Sequence, residues 1–149
     1  MDFLLALDTT TRNCSVAIFA NSDLISIEEN ISDKHSHSEQ INLFISKAIA
    51  SANISLQQIK AVVLSNGPGS YTGLRIGAAT AKGLCYSLGI PLISISTLKS
   101  MAFGIDKKTY KYYCPMIDAR RQEVFAAIYD KNNNEVRGVR ADIVDANTY

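Results

Sequence analysis

Apolar positions along the chain change their period from one segment to the next. Residues 3–7 (FLLAL), 14–19 (CSVAIF) and 24–27 (LISI) are short β-prone runs, separated by the turn-rich TTTRN and ANSD. That succession predicts three antiparallel strands in a meander. From Ile41 the period lengthens. Ile41, Phe44, Ile45, Ala48, Ile49 and Ala52 recur at helical spacing and predict one apolar face of an amphipathic helix. Ser36 and Glu39 form an S-x-x-E capping box at its start. A strand over residues 61–65, a helix over about 74–88, a strand over 91–95 and a short helix over 97–103 complete this part.

Three meander strands followed by strand–helix units predict an α/β fold with a mixed sheet flanked by helices. This element order is that of the ribonuclease-H-like lobe found in actin-like ATPases. The first lobe is expected over residues 1–104 and the start of a second over 105–149. The second part repeats the first. Asp8 is followed nine residues later by Ala17-Ile18-Phe19, and Asp118 at the same distance by Ala127-Ile128-Tyr129. Strands near 112–117, 124–129 and 136–139 would form the repeated meander, leaving the second lobe incomplete. A bare meander needs something to cover its other face. The expectation is a tail that is poorly ordered or covered by the first half.

The most conspicuous local feature is GPGSYTGLRIG at residues 67–77. It is no Walker A loop, since no Gly-Lys-Ser/Thr follows, and Gly73 comes one residue too late for a dinucleotide fingerprint. Ser70 lacks the flanking glycines of a nucleophile elbow. Gly67, Gly69 and Gly73 then read as a structural turn launching a helix close to the sheet. In that helix Leu74, Ala78, Ala81, Cys85 and Leu88 form the expected buried stripe, with Ile76, Thr80, Gly83 and Ser87 opposite. A mid-helix glycine costs about 1 kcal/mol relative to alanine, so Gly83 on an outer face points to close approach by another backbone. Leu43 likewise stands off the apolar stripe of the first helix. Together these residues outline a partner-docking surface.

Charge and chemistry narrow the reading. Net charge is +1, which gives no global attraction to nucleic acid. No apolar run approaches the roughly 20 residues needed to cross a bilayer, and Asp2 and Asp8 do not suit a signal peptide. Cys14, Cys85 and Cys114 are widely spaced and odd in number, as expected of reduced thiols in a cytoplasmic protein. His35 and His37 form an HxH with no third ligand nearby, so no metal is expected. Asp8, with Thr9 and Thr10, and Asp118 end their strands where ligands collect in open α/β sheets. They are the candidates for a phosphate or cleft role, though Asp8 could equally cap its own turn. Arg120, Arg121 and Glu123 read as a solvated hairpin with some chance of binding an anion.

LLALDTTTRNCSVAIF, the His37-Ser38 helix start, GPGSYTGLRIG, PLISISTL and PMIDARRQEVFAAIYD appear in order. Together they resemble the bacterial TsaB (YeaZ) family of tRNA threonylcarbamoyladenosine biosynthesis proteins, which is glycoprotease- or peptidase M22-like. The resemblance implies a two-lobed actin-like fold and a non-catalytic scaffold for TsaD. TsaD is the subunit that binds metal and modifies N6 of adenosine 37 in tRNAs reading codons that begin with A. It implies TsaE as a further partner, a homodimer through the same first-lobe helices, and only indirect contact with tRNA. On that reading the partner interface comprises Leu43, Lys47, Ile76, Ala79, Thr80, Gly83 and Ser87. No cofactor belongs to the chain itself, ATP or ADP with Mg being expected only at an interface of a complex. The alternative is an actin-like ATPase or metallopeptidase-like hydrolase using Asp8 and Asp118. The chain has no helical histidine pair of the kind that holds metal in TsaD relatives.

Overall fold

A computed structural model describes residues 2–31, 37–105, 109–146 and 148. His35, and Ser36 with the expected capping box, lie outside the described residues. Two compact units divide the chain, Met1–Asn66 with Ser70–Ile95, and Gly67–Gly69 with Ser96–Tyr149. The sequence-based boundary was residue 104.

In the first unit, β1 (Phe3–Asp8), β2 (Asn13–Ala20) and β3 (Asp23–Ile31) form the antiparallel meander. β4 (Ile59–Ser65) pairs in parallel with β1, and β5 (Leu92–Ile95) in parallel with β4, giving the sheet order β3-β2-β1-β4-β5. This is the mixed sheet expected from the element order. Leu5 and Leu7 of β1 face Ile18 and Val16 of β2 and Val62 and Leu64 of β4 across the ladder. These side chains share one core with Ile41, Phe44, Ile45 and Ala48 of α1 (His37–Ser51) and Ala81 of α2 (Tyr71–Leu88). The predicted stripe of α1 is therefore the face that packs. The two helices lie side by side on the sheet.

α2 starts three residues before the predicted Leu74, because the Ser70 side chain caps it by accepting the Gly73 N–H at 3.3 Å. It ends at Gly89, whose left-handed φ of 66° closes the helix with its N–H on the Cys85 carbonyl.

In the second unit, β6 (Tyr112–Tyr113) and β7 (Met116–Arg120) both pair with one edge of β8 (Glu123–Asp130), and β9 (Glu135–Ile143) with the other. The single strand expected over 112–117 is broken at Cys114-Pro115. The expected meander is present, as part of a four-stranded sheet. Its cover is α3 (Thr97–Phe103), whose Leu98 and Ala102 bury against Ala127, Tyr129 and Ile117.

Candidate docking surface and the turn that positions it

The β1–β2 turn is the point on which both helices of the first unit are fixed. Asp8 at the end of β1 accepts the Thr10 N–H (2.9 Å) and hydroxyl (2.7 Å) on Oδ1, and the Ser65 hydroxyl (2.7 Å) on Oδ2. Three donors thus engage the carboxylate in a local turn of the kind short acidic side chains favour. The next three residues reach the helices. Thr9 donates its hydroxyl to the Gly73 carbonyl (2.7 Å), Thr10 O accepts the Ser70 N–H (2.7 Å), and Thr11 O accepts from His37 Nε2 (2.8 Å). His37 Nε2 therefore carries the proton, a carbonyl being only an acceptor. This ties the histidine of the HxH to a backbone oxygen. Among the described residues no cluster of three potential metal ligands occurs.

Thr9 and Thr10 are buried, and α2 comes close enough to explain why. A Cβ at Gly73 would overlap the Thr9 carbonyl oxygen, and one at Gly77 would stand 2.5 Å from Thr9 Oγ1. Of the expected turn glycines, only Gly67 has left-handed backbone, with φ of 108°. Its carbonyl accepts the Thr97 N–H at 2.9 Å within the second unit. Gly69 precedes the helix. Gly73 lies inside α2, where it permits close approach rather than a turn.

This close seating corrects the predicted stripe. Ala81 of that stripe is buried and Ala78 and Cys85 pack against the core, but the deepest line runs through Gly73, Gly77 and Ala81, at i, i+4 and i+8, and takes in two glycines the stripe left out. With no side chains at 73 and 77 the helix sinks toward the sheet, and residues flanking that line are drawn in with it. Ile76, expected outside, packs against the core, and Thr80 is half-buried. The outer face of the two helices is thus shifted from the one the spacing predicted, with Ile76 and Thr80 turned inward and Arg75 and Lys82 exposed. It holds Ala79, Gly83 and Ser87 on α2, and Leu43 (51% exposed) and Lys47 on α1. Around Gly83 a Cβ would meet nothing within 4 Å.

Sequence reasoning missed Tyr86. It is 92% exposed on α2 beside Gly83 and Ser87, with Lys82 exposed one turn before it. Its signal was present in the sequence, an aromatic residue one position from a predicted outer-face serine. Tyr71 is also exposed, with the Arg75 guanidinium 5.5 Å from its ring centroid.

Asp118, in the second unit, does not end its strand as expected: β7 runs on to Arg120, with a register shift between Asp118 and Arg120, whereas Asp8 is the last residue of β1. Asp118 Oδ1 accepts the Arg120 N–H at 2.7 Å, the same two-residue reach as Asp8 to Thr10. The surroundings differ. Thr9 and Thr10 are buried and uncharged, whereas Asp118, Arg120 and Arg121 are exposed. Burial raises the Cys14 thiol above its ordinary pKa, with the Asp8 charge adding to it, and burial also raises Cys85. Neither is a poised nucleophile, since thiolate is the reactive form.

The profile of a protein family described as "TsaD: tRNA N6-adenosine threonylcarbamoyltransferase" matches residues 28–148. A curated Haemophilus influenzae protein named "tRNA threonylcarbamoyladenosine biosynthesis protein TsaB" is 37% identical over 123 residues, covering 82% of this chain and 51% of the relative. The Escherichia coli protein of the same name is 34% identical over 134 residues, covering 89% of this chain and 57% of the relative. The chain thus spans between half and two thirds of these relatives' length. Among solved structures, "YeaZ from Pseudomonas aeruginosa" superposes with a TM-score of 0.81 at 25% identity, over 97% of this chain and 67% of that one. The mixed α/β architecture is accordingly actin-like, as YeaZ structures are.

Proposed function

The chain belongs to the TsaB (YeaZ) branch of the family described as TsaD, tRNA N6-adenosine threonylcarbamoyltransferase, and on that premise we propose that it is a non-catalytic scaffold subunit in threonylcarbamoyladenosine biosynthesis. In this reading it binds a TsaD-type subunit, and a TsaE-type subunit joins the assembly. The partner acts on adenosine 37 of tRNAs reading codons that begin with A. Contact with tRNA runs through the partner, and a second copy of the chain competes for the same helices in a homodimer. The observation that carries the reading is the outer face of α1 and α2. Tyr86 stands exposed beside the open Gly83 on α2, and Leu43 stands exposed on α1, on two helices locked to one turn. Exposed apolar and aromatic side chains around a small-residue surface suit a packed helix interface. The engagement of the Asp8 carboxylate by three donors supports a structural role for that turn over a hydrolytic one.

The test is co-purification with the cognate TsaD. Wild type is expected to form a stable complex. Leu43→Asp and Gly83→Arg are each expected to abolish it with the fold of the isolated protein intact by circular dichroism; Tm should stay close to wild type in Leu43→Asp and rise slightly in Gly83→Arg, where a better helix former replaces an exposed mid-helix glycine. A complex that withstands both substitutions would remove the proposed surface.

A further inference from the structure

We propose that the β7–β8 hairpin turn of the second unit binds phosphate groups through the guanidinium groups of Arg120 and Arg121. The backbone supplies the first argument. Arg120, Arg121 and Gln122 have φ of 69°, 55° and 63°, three successive non-glycine residues in left-handed conformation. Arg120 pairs with Glu123, so Arg121 and Gln122 form a two-residue loop with φ > 0 at both positions. Such loops favour Asn-Gly, and glycine would relieve the turn. The turn is nevertheless held from both sides. Asp118 Oδ1 accepts the Arg120 N–H and Gln122 O accepts the Val144 N–H, each at 2.7 Å. Strained backbone persists where its surroundings impose it, and it gathers at ligand clamps.

Charge supplies the second argument. Arg137 and Arg140 in the same unit both bond Asp142 at 2.6 Å. Arg120 and Arg121 are exposed, and no ion pair among the described residues engages them, even with Glu123 opposite Arg120 in the ladder. The guanidinium groups of two successive arginines carry about ten N–H donors, against about four acceptor sites on a carboxylate. Phosphate oxygens, and those of a diphosphate above all, use that fork geometry more fully. The inference is independent of the scaffold reading, since it concerns a turn that reading leaves unused.

The experiment measures binding to the full chain of inorganic pyrophosphate, ATP and a fluorescein-labelled single-stranded RNA, by calorimetry and anisotropy at low salt. At least one of the three is expected to bind, and which one separates a free nucleotide from an RNA phosphate as the source. Arg120→Gln with Arg121→Gln should weaken that binding at least tenfold with the fold intact, and Glu123→Gln should strengthen it. Gln122→Gly keeps both arginines and should raise Tm. Binding of none of the three probes, or undiminished binding by the double variant, overturns the site. A Tm that does not rise in Gln122→Gly overturns the claim that the turn is retained at a cost in stability.

Discussion

Glycine at three positions of one helix does three different things, and only the neighbours tell them apart. Gly73 meets the Thr9 carbonyl, Gly77 meets the Thr9 hydroxyl, and Gly83 meets nothing. Alanine at 73 is therefore expected to destabilise the protein by roughly 3 kcal/mol, the upper range of overpacking costs, because backbone rather than a flexible side chain blocks it. Alanine at 83 is expected to stabilise by up to about 1 kcal/mol through helix propensity. Urea midpoints of the two variants should move in opposite directions. The sequence showed three glycines on a helix but not this difference. A contact between residues 9 and 73 spans 64 positions and leaves no periodic signal. Asp8 is a similar case. Its place at a strand end was legible, and its engagement by Thr10 and Ser65 was not.

At the level of elements, α1 was readable because its apolar stripe follows one period over many residues. For α2 the stripe was found at Ala78, Ala81 and Cys85 but was incomplete, since glycine has no side chain to register in a hydrophobic count and yet marks the deepest positions. Ile76 moved from the predicted outside to the core margin for that reason. On the side that remains outside, Tyr86 is the most exposed large apolar side chain, at 92%. If this face docks a partner, Tyr86 should behave as an anchor. Tyr86→Ala is expected to cost about 2 kcal/mol of complex stability, roughly thirtyfold in Kd, by titration of the cognate TsaD. Its unfolding midpoint alone should stay within about 0.5 kcal/mol of wild type, as at other exposed positions.

For the molecule as a whole, burial of ionisable groups sets the response to alkaline pH. The folded Cys14 thiol titrates above its unfolded value, first through burial and then through the Asp8 charge. Its contribution is complete below the ordinary thiol pKa of about 8.5 and is lost as pH rises toward the folded value. Tyr129, raised chiefly by burial, acts with the same sign from about pH 10. Stability should therefore fall from about pH 8.5 upward. Cys14→Ala should show a lower but flatter profile between about pH 8 and 10 by urea unfolding. The sequence by itself determined the element order, the mixed sheet, the paired aspartate turns of the repeat and the family, because period, turn chemistry and motif spacing are local properties written along the chain. Tertiary structure alone decided which glycines are contacts, that the Thr9, Thr10 and Thr11 turn anchors both helices, that α3 covers the second sheet, and that the two aspartate turns end in different surroundings. Those outcomes depend on which distant backbone arrives beside a residue, and no spacing rule records that.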